Sequence, residues 1–466
     1  MMLKLHNSYS NSLEVVELNK NEVRIYLCGP TVQSSPHLGH GRSAVVFDFL
    51  VRYLKYLEYK VTFVRNITDI DDKIIAKSLE ESISFVELGT RVTKEFQNAY
   101  EELNCLSPDK EPKATEFIDQ IIKYIKKLIE NKFAYITKSG VYYEISKFDD
   151  YLLLSGRTKD DVISGTRVEI EEDKKTAEDF ALWKVSKENE PYWESPWGNG
   201  RPGWHIECSS MIEAILGKTI DIHCGGNDLI FPHHENEIAQ SKGAYPNEPF
   251  VKYWLHNGML NLSGKKMSKS EGNIKLLNDY IDEFDGQVVR FFFLKSQYRS
   301  PQEFSLDLLK ESESTLNNLI DFTKGAKSEP KNKKVLSIFE ESMNEDLNTP
   351  KMLGDLFKLI NEADALEEQK LKDLKSTIKF VFNVLGFELI KKDRNGKTKD
   401  ELIEFFNEYD IKFGDIDQAV NEFINIRESL RKKKDFNSAD KMRENILDIG
   451  ISIEDGTDSG WSWKTS

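Results

Sequence analysis

Two short strings of histidine and lysine, far apart in the chain, have the composition of a phosphate-binding site. The first, His37-Leu38-Gly39-His40, follows the strand-like run 23–28 and opens a stretch of helical apolar spacing. The second, Lys266-Met267-Ser268-Lys269-Ser270, lies between Gly264 and Gly272. Imidazole and helix N-terminal N–H groups donate to phosphate oxygens, and lysines add positive charge. Taken singly, the first string is better explained by two capping histidines with a packing glycine, and the second by a lysine-rich turn, which is common.

The elements around the first string predict a β-α-β unit. Apolar residues recur at helical spacing between 45 and 57, and a second strand-like run, Val61-Thr62-Phe63-Val64, follows. This order builds a parallel nucleotide-binding sheet, in which the helix N-terminus faces the crevice. Gly39 leaves room there, because it has no side chain where a nucleotide would approach.

The two strings together resemble the signature of class I aminoacyl-tRNA synthetases, and further stretches resemble the cysteinyl-tRNA synthetase family. These stretches are Tyr26–Val32, Asn66–Lys73, the run from Trp193 through Gly203-Trp204-His205-Ile206-Glu207-Cys208, and Phe231–Glu237. The similarity covers essentially the whole chain and is weakest between about residues 75 and 140. It implies an α/β fold: a class I Rossmann-type doubly wound parallel sheet with a connective insertion, a helical bundle and a small C-terminal α/β module.

The resemblance implies one zinc ion per subunit, held by Cys28, Cys208, His233 and Glu237. His233 and Glu237 are spaced i,i+4 and would share one face of a helix started by Pro232. Spacing alone would not reveal this set, and His234 and Cys224 are rival ligands. Zinc prefers thiolate, so it would distinguish a cysteine side chain from a hydroxyl or a methyl group, and no editing domain is expected.

The resemblance also assigns roles around the metal and the nucleotide. The catalytic residues would be His37, His40, Lys266 and Lys269. ATP would be bound by Gly39, Gly225, Gly226, Asp228 and Lys269, with Mg²⁺ as its counter-ion. The substrate pocket would contain Gly29, Thr68, Trp204, His223 and His234, with Thr68 near the substrate amino group.

Plainer explanations exist for several of these residues. Trp204 has the character of a core aromatic residue, His234 of a satisfied surface histidine and Asp228 of a helix cap. The acidic residues of the 66–73 stretch resemble a calcium loop only superficially, since the glycine and the distal glutamate are missing. We interpret these acidic residues, Asp69, Asp71 and Asp72, as caps and structural residues.

The predicted organisation has six parts. They are the first half of the Rossmann catalytic domain (1–115), a connective insertion (116–200), the second half (201–280), a stem-contact region (281–330), a helical bundle (331–390) and a C-terminal anticodon-binding module (400–466). The insertion contains strand-like runs at Gly140–Ile145 and Thr166–Ile170. In the bundle, one helical face is apolar: Leu353, Leu356, Leu359 and Ile360.

Composition limits the classes of protein to which the chain could belong. The 466 residues carry a net charge of −15, which argues against indiscriminate nucleic-acid binding. Local basic runs at 391–399 and 431–434 could contact tRNA, although a solvated linker and a helix face explain them equally well. No apolar run approaches the roughly 18 residues of a membrane span, and no signal peptide is apparent. Four scattered cysteines indicate free thiols or metal ligands. We expect a cytoplasmic monomer.

The predicted function is ATP-dependent ligation of L-cysteine to its tRNA through a cysteinyl-adenylate. A ligase that joins activated cysteine to an amino sugar is the closest alternative, but residues 400–466 would have no use in it. A noncatalytic RNA-binding or thiol-sensing protein is the other alternative. Intact signature and ligand residues argue against that alternative, because an idle site has no physical need for them.

Overall fold

The computed structural model describes residues 2–158, 173–262, 276–390, 399–412, 414–449, 451–453 and 461–463. The strands are β1 (Lys4–Asn7), β2 (Ser12–Val15), β3 (Val23–Leu27), β4 (Val61–Arg65), β5 (Ala134–Ile136), β6 (Gly140–Tyr143), β7 (Phe180–Val185), β8 (Gly200–Pro202), β9 (Ile220–Gly226), β10 (Val251–Asn257), β11 (Leu260–Leu262), β12 (Gln302–Phe304), β13 (Ile451–Ile453) and β14 (Trp461–Trp463).

The helices alternate with these strands in the first two thirds of the chain and dominate the last third. They are α1 (Leu38–Tyr56), α2 (Asp72–Glu81), α3 (Phe85–Glu102), α4 (Ile118–Glu130), α5 (Trp204–Leu216), α6 (Glu235–Ala244), α7 (Leu277–Phe284), α8 (Gly286–Leu294), α9 (Leu306–Thr323), α10 (Lys333–Asn344), α11 (Thr349–Asn361), α12 (Glu368–Val384), α13 (Lys399–Asn407), α14 (Ile416–Lys432) and α15 (Phe436–Asp448).

A four-stranded parallel sheet in the order β10-β9-β3-β4 is the centre of the catalytic half. Strands β3, β9 and β10 are buried along most of their length, as in a parallel sheet covered on both faces. Strand β3 pairs with β4 on one side and with β9 on the other, with Tyr26 opposite His223. The chain therefore reverses its winding direction between β3 and β9. The predicted β-α-β unit and the doubly wound parallel sheet are confirmed.

Helix α1 connects β3 to β4 and is unusually buried. Phe47, Leu50 and Leu54 are at most 1% exposed and belong to the main apolar core. The same core includes residues of α8 and of the helices α9 to α12. The start of α1 is thus fixed against both the sheet and the helical region.

The insertion has a sheet of its own, but its core is shared with α5 and α6 of the catalytic half through Ile206, Ala239 and Ala244. Strands β5 to β8 form an antiparallel sheet in the order β5-β6-β7-β8, and α4 packs with its apolar side chains into the same core. The strand predicted at Gly140–Ile145 is confirmed for Gly140–Tyr143. The run Thr166–Ile170 lies outside the described residues.

Helices α10 to α12 form the region predicted as a helical bundle. In α11, Leu353 and Leu356 are buried, and Leu359 and Ile360 pack partly buried against the same core, so the predicted apolar face is confirmed. Helices α13 to α15 and strand β13 enclose a separate, smaller core. Among the described helices, none is long and apolar enough to cross a bilayer.

Candidate active site

The candidate site lies where the winding direction of the parallel sheet reverses. In such sheets the crevice outside the carboxyl ends of the strands is the usual ligand position. Cys28 follows the end of β3, and its N–H donates to the carbonyl of Cys224 on β9 at 3.0 Å. Strand β9 ends with Gly225 and Gly226, and α1 begins at Leu38. The first signature and the predicted ligand residues lie at this edge.

The four predicted metal ligands lie together. One ligand atom from each of Cys28, Cys208, His233 and Glu237 lies within 4.8 Å of every other. The two sulfur atoms are 3.7 Å apart, and His233 Nε2 is 3.1 Å from Glu237 Oε1. Two thiolates about 2.3 Å from one tetrahedral zinc would be roughly 3.8 Å apart. The spacing and the donor types therefore fit a zinc ion.

These ligands come from three separate elements. Cys28 follows β3, Cys208 is on α5, and Glu237 is in the first turn of α6. His233 belongs to a wider π-type turn, Ile230–His234, that leads into α6. Phe231 is extended and breaks the helical path, so the helical turn that carries His233 and leads into α6 begins at Pro232, as predicted. His233 and Glu237 still meet across this turn.

Three further histidines contact the candidate ligands and orient them. Glu237 Oε2 lies 2.9 Å from His223 Nε2, and His233 Nδ1 lies 3.0 Å from His205 Nδ1. His234 Nε2 is 3.3 Å from Cys28 Sγ. Ligand groups held in this way by outer-shell partners keep a defined orientation and tautomer.

Electrostatics favour the metal-binding form of two of the four candidate ligands, Glu237 and Cys208. Burial opposes ionisation of Glu237, but His223 and His233 lower its pKa to about 2. Burial likewise opposes ionisation of Cys208, but hydrogen bonding from Cys28 and the charge of His233 lower its pKa to about 6. A carboxylate and a thiolate are therefore available at neutral pH. Burial raises the pKa of Cys28 well above its usual range, and against the effect of burial Cys208 and Glu237 raise the pKa of His233 to about 10.

This geometry distinguishes the two alternative ligands, Cys224 and His234, from the predicted set only in part. Cys224 is buried in the main apolar core, and burial raises the pKa of its thiol. His234 does belong to a second possible metal group, with Cys28, His223 and Glu237. His234 Nδ1 is 2.7 Å from His256 Nε2, and this contact fixes the orientation of the His234 ring. The set with two sulfurs suits zinc better, since thiolate is the softer ligand.

The predicted pocket residues surround the cluster. The Trp204 ring is half-buried, with its centroid 4.3 Å from that of His233. Thr68 is buried and donates its hydroxyl to Glu207 Oε2 at 3.1 Å. At Gly29 a Cβ atom would lie 1.6 Å from the carbonyl oxygen of Asn66, so a side chain cannot be accommodated there.

The first signature forms the start of α1. His37 is the N-cap residue, and its N–H donates to Nδ1 of His40 at 3.2 Å, while the two rings stack at 3.7 Å. Burial and the neighbouring His37 lower the pKa of His40 to about 3. His40 is therefore neutral, and because Nδ1 accepts, its proton is on Nε2 as a hydrogen-bond donor.

Glycines next to these residues allow neighbouring side chains to approach the backbone closely. A Cβ at Gly39 would lie 3.1 Å from the His37 ring, and one at Gly225 would lie 2.6 Å from Cε1 of His234. The space over Gly225 is thus taken by a pocket histidine. At Gly226 the corresponding contact is Asp228 Oδ1 at 2.4 Å, and the Asp228 side chain is exposed.

The second signature, with Lys266 and Lys269, lies outside the described residues. Its flanks are described: β11 ends at Leu262, and α7 begins at Leu277. Leu277 N–H donates to the carbonyl of Pro36 at 2.9 Å, directly before the first signature. The described residue Leu277, which follows the second signature, is therefore attached directly before the first signature.

Several site residues were not singled out from the sequence. Glu207 is fully buried beside Thr68, and burial followed by the charge of Cys208 raises its pKa well above the usual range. His205 contacts the candidate ligand His233, and His256 contacts His234. The sequence contained a signal for Glu207 and His205, because both lie within four residues of the predicted ligand Cys208. It contained no such signal for His256, which lies on β10. The interpretation of Asp71 as a cap is confirmed, since it accepts from Lys73 N–H at 2.9 Å.

Comparison with known proteins agrees with this geometry. Residues 14–314 match the family described as tRNA synthetases class I (C) catalytic domain, and residues 338–389 match the DALR domain. The cysteine–tRNA ligase of Thermodesulfovibrio yellowstonii is 42% identical, covering 98% of this chain and 98% of that protein. That of Pelagibacter ubique is also 42% identical, covering 99% and 98%. The chain belongs to the cysteinyl-tRNA synthetase family. It is a class I aminoacyl-tRNA synthetase with tRNA, an amino acid and ATP as substrates.

Solved structures support the fold of the enzyme. A Mycobacterium tuberculosis methionyl-tRNA synthetase in complex with methionyl-adenylate is similar with a TM-score of 0.58 and 15% identity, covering 78% of this chain and 89% of that one. A putative arginyl-tRNA synthetase from Campylobacter jejuni has a TM-score of 0.55 and 15% identity, covering 80% and 94%. At this identity the likeness concerns the fold alone.

Proposed function

We propose that this enzyme activates L-cysteine with ATP to a cysteinyl-adenylate and then transfers the cysteinyl group to the terminal ribose of its tRNA. In the first step the cysteine carboxylate attacks the α-phosphorus of ATP, and pyrophosphate leaves. The observation that carries the proposal is the buried group of two cysteines, a histidine and a glutamate next to the first signature. Family membership supports the ligation, and this group supports the choice of amino acid.

In this proposal the amino acid is selected by its thiol. Cys28, Cys208, His233 and Glu237 would hold a zinc ion, which supplies a soft acceptor for the substrate sulfur. Shape alone separates such similar side chains by only about 10- to 200-fold. Trp204 and His234 would line the pocket around the side chain. Thr68 would meet the amino group, with Glu207 holding its hydroxyl.

The remaining signature residues would handle ATP. His40, neutral with its proton on Nε2, would donate to a phosphate oxygen together with His37. Lys266 and Lys269 would neutralise charge on the leaving pyrophosphate, a contact that is stronger in the transition state than before it. Gly39, Gly225, Gly226 and Asp228 would lie along the nucleotide. Mg²⁺ would accompany the phosphates of ATP.

The test of this function is cysteine-dependent exchange of pyrophosphate into ATP, with serine as the competitor and metal content measured on the same sample. We expect exchange with cysteine, little inhibition by serine, and about one zinc per chain. Strong serine-dependent exchange, or full cysteine selectivity in metal-free protein, would contradict the role given to the metal.

The C-terminal module (400–466) would contact the anticodon end of the tRNA, with the helical bundle between it and the catalytic half. It has a core of its own, which supports treating it as a separate domain. Removing residues 399–466 should spare pyrophosphate exchange and lower kcat/KM for tRNA charging by about 100-fold, because one of two linked contacts is lost. Undiminished charging by the truncated enzyme would exclude the module from tRNA binding.

We further propose that the enzyme acts as a monomer in the cytoplasm. The described cysteines are free thiols, and a pocket that needs Cys28 and Cys208 reduced suits a reducing compartment. The mass in solution by light scattering tests the oligomeric state.

A further inference from the structure

Arg42 lies one helical turn after Leu38 and is buried, with 1% of its surface exposed. Its guanidinium makes five described hydrogen bonds, and all five go to main-chain carbonyl oxygens. Nη1 donates to Gly258 at 2.8 Å and Met259 at 2.7 Å. Nη2 donates to Ser300 at 2.6 Å, Tyr298 at 3.3 Å and Gln297 at 3.5 Å.

These carbonyls belong to two turns from different parts of the chain. Gly258 and Met259 connect β10 to β11, the last described strand before the second signature. Residues 297–300 precede β12, which pairs in parallel with β11. The turns touch each other through their backbones, since a Cβ at Gly258 would lie 2.4 Å from the Ser300 carbonyl oxygen. One arginine from the first-signature helix therefore holds both turns.

The other end of the second-signature segment is attached to the same helix. Leu277 N–H donates to the Pro36 carbonyl, and a Cβ at Gly41 would lie 3.0 Å from both Leu277 methyl carbons. Gly41 and Arg42 are adjacent in α1. The chain thus leaves for the second signature beside Arg42 and returns beside Gly41.

The turn at 297–300 is also held from the opposite side. The Asp346 carboxylate, 3% exposed, accepts from Tyr298 Oη at 2.9 Å and from Arg299 Nε at 2.6 Å. The carbonyls of the turn are therefore directed at Arg42 by contacts that do not depend on Arg42. A preformed acceptor set of this kind positions whatever binds it.

We propose that Arg42 is a positioning residue for ATP activation, which fixes the base of the second-signature segment relative to His37 and His40. This inference rests on the function proposed above for both signatures. The planar fork of arginine can reach both turns at once, whereas a lysine ammonium is a single point of donation.

The test is Arg42→Lys in the full-length enzyme. We expect kcat/KM for ATP in cysteine-dependent pyrophosphate exchange to fall by about 100-fold, the effect of roughly 1 Å of misplacement. Cysteine affinity and metal content should not change. The thermal midpoint is measured beside them, because a merely structural arginine would lower stability and affect both substrates alike.

Gly258→Ala is the second variant, because its Cβ would push the two turns apart without changing any charge. It should give the same selective loss for ATP. Arg52→Lys is the matched control: Arg52 is on the same helix but binds Asp48 at 2.7 Å and the Asn104 carbonyl at 2.7 Å. It should show no loss specific to ATP.

Lys269→Ala separates this inference from the proposed function. If Lys269→Ala leaves ATP kinetics intact, the proposed role of the second signature is wrong. If Lys269→Ala impairs ATP use while Arg42→Lys and Gly258→Ala do not, only the positioning role is overturned. Equal losses for ATP and cysteine in both variants would also overturn it.

Discussion

The metal pocket and the first signature lie at the same edge of the parallel sheet but are built differently. In the pocket, Cys208, His233 and Glu237 are at most 1% exposed, and each is fixed by other side chains. At the start of α1, His37 is exposed, and the groups are arranged by backbone: an N-cap, a glycine and the carbonyls around Arg42.

This difference suits the two tasks. Selecting an amino acid requires metal ligands that keep one geometry before the substrate arrives. Burial and contacts with neighbouring histidines provide this fixed geometry. Binding ATP requires open access for a large ligand and contacts that strengthen as charge moves to the leaving group. In the proposed function, selection would be preformed in side-chain packing, while activation would combine two strings that are distant in the sequence.

The largest expected effect separates the two regions directly. Cys208→Ser removes one thiolate, so metal affinity should fall by at least about 1,000-fold and cysteine binding with it, since metal and pocket are coupled. ATP affinity should change little. Metal analysis and calorimetric titration with each substrate measure this. The control is Cys224→Ser, which changes a buried thiol outside the ligand set. Equal loss of ATP and cysteine affinity would contradict the separation.

A smaller effect is expected at the other region. His40→Ala removes one neutral donor, so kcat for pyrophosphate exchange should fall by about 100- to 1,000-fold, as for other lost transition-state hydrogen bonds. Cysteine affinity and bound metal should be retained. Phe96→Leu is the control, because Phe96 packs edge-on against the His40 ring without donating. A similar loss in both variants would indicate packing as the role of His40.

The smallest effect tests how far the support of the pocket extends. His256 Nε2 contacts His234, and its Nδ1 lies 2.8 Å from Ser8 Oγ. His256→Gln should lower metal affinity by about tenfold, the low end of second-shell effects, with ATP kinetics unchanged. Competition with a metal chelator measures it. Ser8→Ala, one step further out, should have a weaker effect; the opposite ranking would show that the chain of contacts does not act through His234.

Much of the central fold could be predicted because its signals are local. The β3-α1-β4 unit followed from apolar periodicity, and the α11 face from the spacing of its leucines. The helical turn started by Pro232 followed from the proline and from the i,i+4 spacing of His233 and Glu237. Positions 28, 208 and 233 have no common period, so the metal group followed from resemblance and not from spacing.

The amino-acid sequence by itself determined the family, the parallel sheet and the types of groups available for chemistry, because motifs and periodicity are written along the chain. Only the tertiary structure decided which groups meet. His256 reaches the pocket through the pairing of β10 with β9, and Glu207 reaches Thr68 through the packing of α5. Arg42 finds its acceptors in turns more than two hundred residues away. Such contacts depend on register and packing, which no local pattern encodes.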